Sequence, residues 1–572
     1  MVTGTPPNTG QCHLTPPHMN KIPGAGLHWI DISIIGAYLL LMVGIGYFFS
    51  RRKVSLNDFL RGGSSIGWLP LGMSLMAALN SGLDYVQTPA ATFGVGLVFI
   101  MACLSSVILY PWISRVTLPF YQRLDVYSAY EYLEYRFGVS LRLLGAGIFV
   151  LWRTGWMGAA IYVPCLAVKA ATGDQVDVGT MVIVLGATVT FYTMLGGMRA
   201  VVWTDVVQFF IMFGGLATTL YVAINQIPGG MTEVIRTAHD HGRLSLVGAT
   251  TGTGDGLLAW LRGYFTTEVT LVGMVLMVTI GRAAAFTADQ IAIQRFQSAA
   301  SLNDARRSYI VNAATDLLWM AALGFVGLAL FAYHQHHPFP AGIQNDRILP
   351  LFINEHFAVG ATGLVFAAIF AASLSSVDAA LNSATSIITV DFYNRLWLGR
   401  VRPLAQLTPD DERRQLRVSR LATMALGATM IAIGSNIEHL GEIYQAGNKI
   451  LGAFFGPLFG IFFLGMFSRH AHALGVATGA LCGLAGSCFA SFFSVAGWLQ
   501  TLCGRWFGPD FVYFFKHLSW QWPPFVGVSL TLGVGYLASR LIPSAHSRAN
   551  ALTFGEVMKR PPLARARADT HA

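Results

Sequence analysis

Apolar residues in this chain fall into long unbroken runs, not into the alternation of a half-buried strand or the stripe of a water-exposed helix. An α-helix needs a run of roughly 20 apolar residues to cross the hydrocarbon of a bilayer. Run length and breaks predict about thirteen such segments, near 29–50, 67–90, 92–117, 140–168, 177–195, 198–222, 268–293, 308–332, 358–390, 418–436, 443–467, 471–494 and 524–542. The pattern is that of an all-α membrane protein. A lone span at 29–50 precedes a core over 67–467, and further spans follow over 471–542. The Pro-, Gly- and Asn-rich stretch 1–28 is expected to be disordered and extracytoplasmic. Residues 543–572 are expected to form a basic cytoplasmic tail able to touch anionic headgroups.

Composition agrees, with 54% apolar and only 11% charged residues against about a quarter charged in soluble domains. The net charge of +9 comes from Lys and Arg gathered in alternate connections: Arg51 to Lys53, Arg123 with Arg136, Arg199, Arg295 with Arg306 and Arg307, Arg395 to Arg417, and Arg548 to Arg567. That spacing is a topology signal, not a nucleic-acid surface, and it puts the N-terminus outside and the C-terminus in the cytoplasm. An odd number of spans requires the same arrangement. Trp29–Ser50 is too long for a signal-peptide core and reads as a retained span. The six cysteines have no zinc or disulfide-framework spacing, with Cys488 and Cys503 left open as a pair. No Walker A loop or HExxH motif points to ATP or bond chemistry. GTGDG at 252–256 reads as a flexible loop, and His334, His336 and His337 as solvated.

Chemistry gathers where the apolar runs are interrupted. MAALNSGLDYVQTPAATFG carries Asn80, Ser81, Gly82, Asp84 and Pro89, and VLMVTIGRAAAFTADQ carries Gly281, Arg282 and Asp289. Breaks at matching places in two halves point to an inverted repeat with a binding site near the membrane midplane. Unwound backbone there frees carbonyls for a cation, which only a protein-lined cavity tolerates. FAASLSSVDAALNS brings Ser375, Ser376 and Asp378 within one turn, a set of hard oxygens. After Gly196 and Gly197, Asp205 returns a carboxylate to an apolar run, a functional feature by default. Asp84, Arg153, Arg282, Asp289, Asp316 and Lys449 also fall inside spans. They either pair with one another, as Arg282 could with Asp316, or line a solute pocket.

TMLGGMRAVVWTDVVQ at 193–208 closely resembles the signature of the sodium:solute symporter family. Ala372, Ser375, Ser376, Leu381, Asn382 and Ser383 match a second family motif, and SLNDFLRGG at 55–63, YEYLEYRF at 130–137 and DQIAIQR at 289–295 resemble further landmarks. The similarity runs from about residue 30 to 470. It implies a LeuT-type core of two inverted five-helix repeats. Sodium would be held by the carbonyls of Ala77, Asn80 and Ala372 and the hydroxyls of Ser375 and Ser376. Asp205 matches an acidic residue near the sodium exit route or a second sodium site. Asp378 stands where that second site carries serine, so the two together are read as a second cation or proton site. Asp84, Arg282, Asp316 and Lys449 fall where sugar symporters of the family contact their solute, and Phe286 follows the aromatic gate position, occupied here by Ala285.

The resemblance implies a sodium-coupled symporter that imports a small polar solute by alternating access. It is not an enzyme and needs no cofactor besides the coupling ion. YEYLEYRF, IYVPCLAV and MLGGMRAVVWTDVVQ look nearest to the monocarboxylate, vitamin and iodide branch. Arg282 and Arg153 suit a carboxylate, so an organic anion or zwitterion is expected, with sodium/sugar symport as the alternative and a channel or transporter-like sensor as the alternative of another class. The partners expected are sodium, the solute and the bilayer of the plasma (inner) membrane, with no nucleic acid. The oligomeric state is not legible.

Overall fold

A computed structural model describes residues 27–51, 56–62, 66–124, 126–172, 175–246, 256–399, 408–437, 443–542 and 552–561. Residues 1–26 of the stretch 1–28 expected to be disordered, the loop glycines 252 and 254 and most of the tail lie outside these residues.

The described chain is helical. Helix α1 (Trp29–Ser50) is followed by α2 (Trp68–Leu79), α3 (Gly82–Val95), α4 (Leu97–Gln122), α5 (Val139–Ala171) and α6 (Val178–Asn225). Next come α7 (Leu271–Thr287), α8 (Gln290–Ser298), α9 (Leu302–His336) and α10 (Ala361–Ile387). The last four are α11 (Pro409–Gly434), α12 (Ile443–Phe467), α13 (Ala473–Phe492) and α14 (Pro523–Leu541). Nine helices among the described residues are long and apolar enough to cross a membrane, and Leu257–Thr266 with α7 forms a tenth, bent by 54°. The interrupted pair α2–α3 and α14 also lie where spans were expected, and Gly197 divides the long α6 into two.

The breaks follow from local chemistry. Gly197 has φ +60° and ψ −165°, which divides α6 into the two spans expected at 177–195 and 198–222. A Cβ there would meet the Phe59 ring at 2.7 Å and its Cα at 3.0 Å. Between α2 and α3, Asn80 and Ser81 are extended, and the Ser81 N–H donates to the Asp84 carboxylate at 2.6 Å. The second interruption lies at Ala288 and Asp289, the last of the three residues that marked it in the sequence, while Gly281 and Arg282 stay helical. Asp289 accepts from the Ile291 N–H at 2.8 Å and so starts α8, an N-cap preference of aspartate. Gly281 stays helical and lets α7 approach Phe455, which a Cβ would meet at 3.2 Å.

Helix α10 is the axis of the molecule, buried along nearly its whole length. At its N-terminus the buried Asp31 of α1 accepts from the N–H groups of Gly360 and Gly363, both at 2.8 Å, where the helix dipole favours an anion. At its other end the backbone passes into a π-helical turn over Ile388–Trp397. There Arg142 binds Asp391 at 2.6 Å and Glu134 at 2.8 Å, and Arg395 binds Glu134 at 2.7 Å. Two cations of the charge pattern are buried and not in solvated connections, Arg136 at 2% exposed and Arg295 at 1%. Cys488 and Cys503 are free thiols.

Candidate functional site

The break between α2 and α3 strips two carbonyls of their helical partners. The Ser81 N–H, which would have bonded Ala77 in a continuous helix, is taken by Asp84, and the Asp84 N–H turns to the Ser81 carbonyl at 3.0 Å. The carbonyls of Ala77 and Asn80 therefore point across to α10. Ser375 Oγ lies 2.9 Å from Ala77 O and 3.1 Å from Ala372 O. Ser376 Oγ lies 3.3 Å from Ala77 O and 3.0 Å from Asn80 O. Close approach here depends on Gly82, whose Cβ would meet Ser373 Oγ at 2.2 Å and the Ile369 carbonyl at 2.8 Å. The five residues singled out by sequence are thus brought together. Each hydroxyl has one hydrogen but faces two carbonyls, so lone pairs outnumber protons in this buried cluster. Five neutral hard oxygens suit a hard, singly charged cation.

A few residues along α10 the surroundings become acidic. Asp205 and Asp378, both fully buried, are close enough to interact electrostatically. Arg295 binds Asp205 at 2.8 Å, and Ser74 Oγ donates to the same oxygen at 2.5 Å. Asp378 has only hydroxyls, Tyr192 at 2.8 Å and Thr204 at 3.5 Å. The second carboxylate oxygen of each aspartate is buried with no hydrogen-bond partner among the described residues. Sequence reasoning missed Arg295. Its landmark DQIAIQR was noted, but partners 90 residues apart leave no trace in spacing.

Beside the first break is a cavity of about 230 Å³ lined by Asp84, Arg153, Arg282, Phe286 and Asp316, five of the six residues expected to face a solute. Asn80 and Ser81 line it too, so the oxygen cluster and the cavity share the unwound segment. The charged groups are partnered. Arg282 binds Asp316 at 2.7 Å and both contact Ser106. Arg153 binds Asp289 and lies over the Trp152 ring at 4.2 Å and the Trp156 ring at 5.2 Å. Capacity remains nonetheless. Arg153 Nε, both amide atoms of Asn312 and the Gln87 amide nitrogen are buried with no partner among the described residues. Asn312 and Gln87 line the cavity and were not singled out by sequence, since an amide in an apolar run carries no charge to flag it. Phe286 packs edge-on against Tyr309 at 4.9 Å. Lys449 is not at this cavity; it lines a separate one.

This arrangement agrees with what the chain is similar to. The model of the sodium:solute symporter family matches residues 59–485. The sodium/sialic acid symporter SiaT of Proteus mirabilis is 29% identical over 449 residues, covering 78% of this chain and 86% of that protein. The human sodium-coupled monocarboxylate transporter 1 is 27% identical over 463 residues, covering 80% and 72%. A solved structure, the substrate-bound outward-open state of a Na+-coupled sialic acid symporter with a novel Na+ site, superposes with a TM-score of 0.76 at 26% identity, covering 91% of this chain and 99% of that one. The match supports the all-helical, LeuT-type fold expected here. A multi-pass membrane protein with this match over most of its length belongs to the sodium:solute symporter family.

Proposed function

We propose that this sodium-coupled symporter carries a small hydroxylated organic acid or zwitterion, with sodium in the five-oxygen cage and the solute in the adjoining cavity. The observation that carries the reading is the unused hydrogen-bonding capacity of Arg153, Asn312 and Gln87 around one cavity. A buried polar group left unsatisfied costs about 1–3 kcal/mol, so a solute that bonds these groups gains by that margin. A guanidinium held against two indole rings is suited to a carboxylate, and the amides suit hydroxyl or acyl groups. A neutral sugar would satisfy the amides but leave the Nε of Arg153 without an anionic partner. A sialic acid symporter, as one relative is named, handles a solute with both kinds of group. Arg282, bound to Asp316, serves this reading as a polar wall, and the carboxylate falls to Arg153.

Coupling follows from the shared segment. Sodium binding Ala77, Asn80, Ala372, Ser375 and Ser376 would fix the break, and with it Ser81 and Asp84 at the cavity wall. A ligand shifts an equilibrium only by its differential affinity for two states, and this cage exists only while α2–α3 is docked on α10. Asp378, with Asp205 already neutralised by Arg295, is the candidate for a second cation or a proton. The basic connections support an external N-terminus and a cytoplasmic C-terminus.

Thermal unfolding of the purified protein in sodium, against carboxylates, amino acids and neutral sugars, tests the solute class. Carboxylates should raise the melting temperature. Arg153→Gln should weaken that response by about 2–5 kcal/mol while leaving stabilisation by sodium intact. A response to neutral sugars alone, unchanged in Arg153→Gln, would overturn the assignment.

A further inference from the structure

The connection that leads into α14 is fastened to the connection that leads into α7. Ser519 donates its N–H to the Phe265 carbonyl at 3.0 Å and its hydroxyl to the Glu268 carbonyl at 2.8 Å. Gln521, 1% exposed, donates from its amide nitrogen to the Glu268 carbonyl at 2.5 Å and accepts from the Thr270 N–H at 3.2 Å. These bonds go to backbone groups at the bend between Leu257–Thr266 and α7, where helix ends leave such groups unpaired. Gly273 makes room for the fastening, since a Cβ there would collide with the Gln521 side chain. Trp522 adds a ring contact, its centroid 4.7 Å from that of Phe265. Trp520 stands in the middle of this clamp and enters the wall of the central cavity. It packs against the cluster of Val98, Phe99, Val269 and Met274 at the outermost turns of α4 and α7. Arg282 lies eight residues beyond Met274 on α7, about two turns deeper. On its other side Trp520 lines the separate cavity of about 200 Å³ that holds Lys449, so its indole stands between the two spaces.

We propose that Trp520 is the outer lid of the central cavity and determines which molecules reach it. The assignment rests on the reading of that cavity as the solute site. The family model matches residues 59–485, so the clamp at 519–522 lies outside the match. An indole is large and stiff, with only two rotatable side-chain bonds, and suits a part that must fill an opening. Its mount matters as much as its bulk. Ser519 and Gln521 fasten the lid to the start of α7, the same helix that carries Arg282. A lid tied to α7 travels with it, so movement of this helix opens or closes the cavity in the same step. Closure of such an element shuts water out of a site and commits the bound molecule.

Thiol labelling tests this without knowledge of the solute. Cys103 lines the central cavity and is buried, so it reports entry. The full-length protein in nanodiscs keeps Cys103, and its other cysteines are replaced by alanine. A neutral reagent, 2-hydroxyethyl methanethiosulfonate, labels such a thiol in proportion to the fraction of molecules that are open. Trp520→Ala should speed labelling by about tenfold or more. Met277→Cys, used in place of Cys103, is a second reporter in the cavity wall and should show the same gain. Gln521→Ala keeps the indole but removes its mount, and should also speed labelling; it carries the test if Trp520→Ala fails to fold. In the Trp520→Ala background a protein that keeps only Cys165, buried and outside the cavity lining, should stay unlabelled. Trp506→Ala, at an exposed position on the same outer connection, should leave the rate at Cys103 unchanged. These rates do not involve the solute, so failure of the lid is distinguishable from failure of the carboxylate assignment, which the thermal response of Arg153→Gln reads. Unchanged rates at both reporters, no labelling in any variant, or a matching gain at Cys165 or in Trp506→Ala would overturn the proposal.

Discussion

Asp205 and Asp378 show how environment assigns different work to the same side chain. Asp205 has a guanidinium at 2.8 Å and a serine hydroxyl at 2.5 Å, so its charge is compensated in place. Among the described residues Asp378 has no ion pair, and its side-chain hydrogen bonds are to Tyr192 and, more distantly, Thr204. A buried carboxylate without a counter-charge is far from its favoured state and takes up a proton or a cation. Asp378→Asn should therefore lower the charge moved per solute in voltage-clamped proteoliposomes while preserving the fold. An identical charge-to-solute ratio would leave Asp378 as a hydrogen-bonding partner of Tyr192 alone. At this scale the motif made five cage residues legible, because family spacing encodes them. Arg295, Asn312 and Gln87 were not legible, since their importance lies in which distant groups they meet or fail to meet. Lys449 is the converse case. Its position on the tenth core helix suggested the central cavity, but the fold places it beside another.

The interrupted helices carry the same lesson one level up. The break in α6 was readable because two adjacent glycines sat between apolar runs, and Gly197 does adopt a left-handed φ. Of the three residues that marked the break between α7 and α8, only Asp289 lies at it, while Gly281 and Arg282 stay helical. In the bilayer small residues are as often there for packing, and Gly281 makes way for Phe455. Asp289 ends the ambiguity by capping α8 with its carboxylate. Gly197→Ala should strain the backbone by about 1–2 kcal/mol and press on Phe59, lowering the melting temperature and uptake together. Gly36→Ala, where an added Cβ meets nothing within 4 Å, should leave both unchanged. Equal melting temperatures for the two variants would show that the turn at Gly197 is not required.

At the scale of the whole molecule, α10 joins the parts. Its N-terminus is tied to α1 by Asp31, its middle supplies the Ala372, Ser375 and Ser376 oxygens of the buried cluster, and its far end is tied down by Arg142 and the neighbouring acidic groups. The apolar runs made the helical membrane architecture legible, and the matching interruptions made the repeat legible. The two cavities were not, because a cavity is a property of packing between runs and not of any one of them. The oxygens of the proposed cage come from α2, the α2–α3 break and α10, so on this reading it would open by movement of α2–α3 against α10. The central claim is that sodium in this cage drives the solute. It is tested most directly by uptake into proteoliposomes over a range of external sodium, in wild type and in Ser376→Ala. The account predicts solute accumulation that requires an inward sodium gradient, with the half-saturating sodium concentration raised by about tenfold in the variant, equivalent to roughly 1.4 kcal/mol. Accumulation without a sodium gradient, or an unchanged sodium dependence in Ser376→Ala and in the double variant Ser375→Ala, Ser376→Ala, would contradict it.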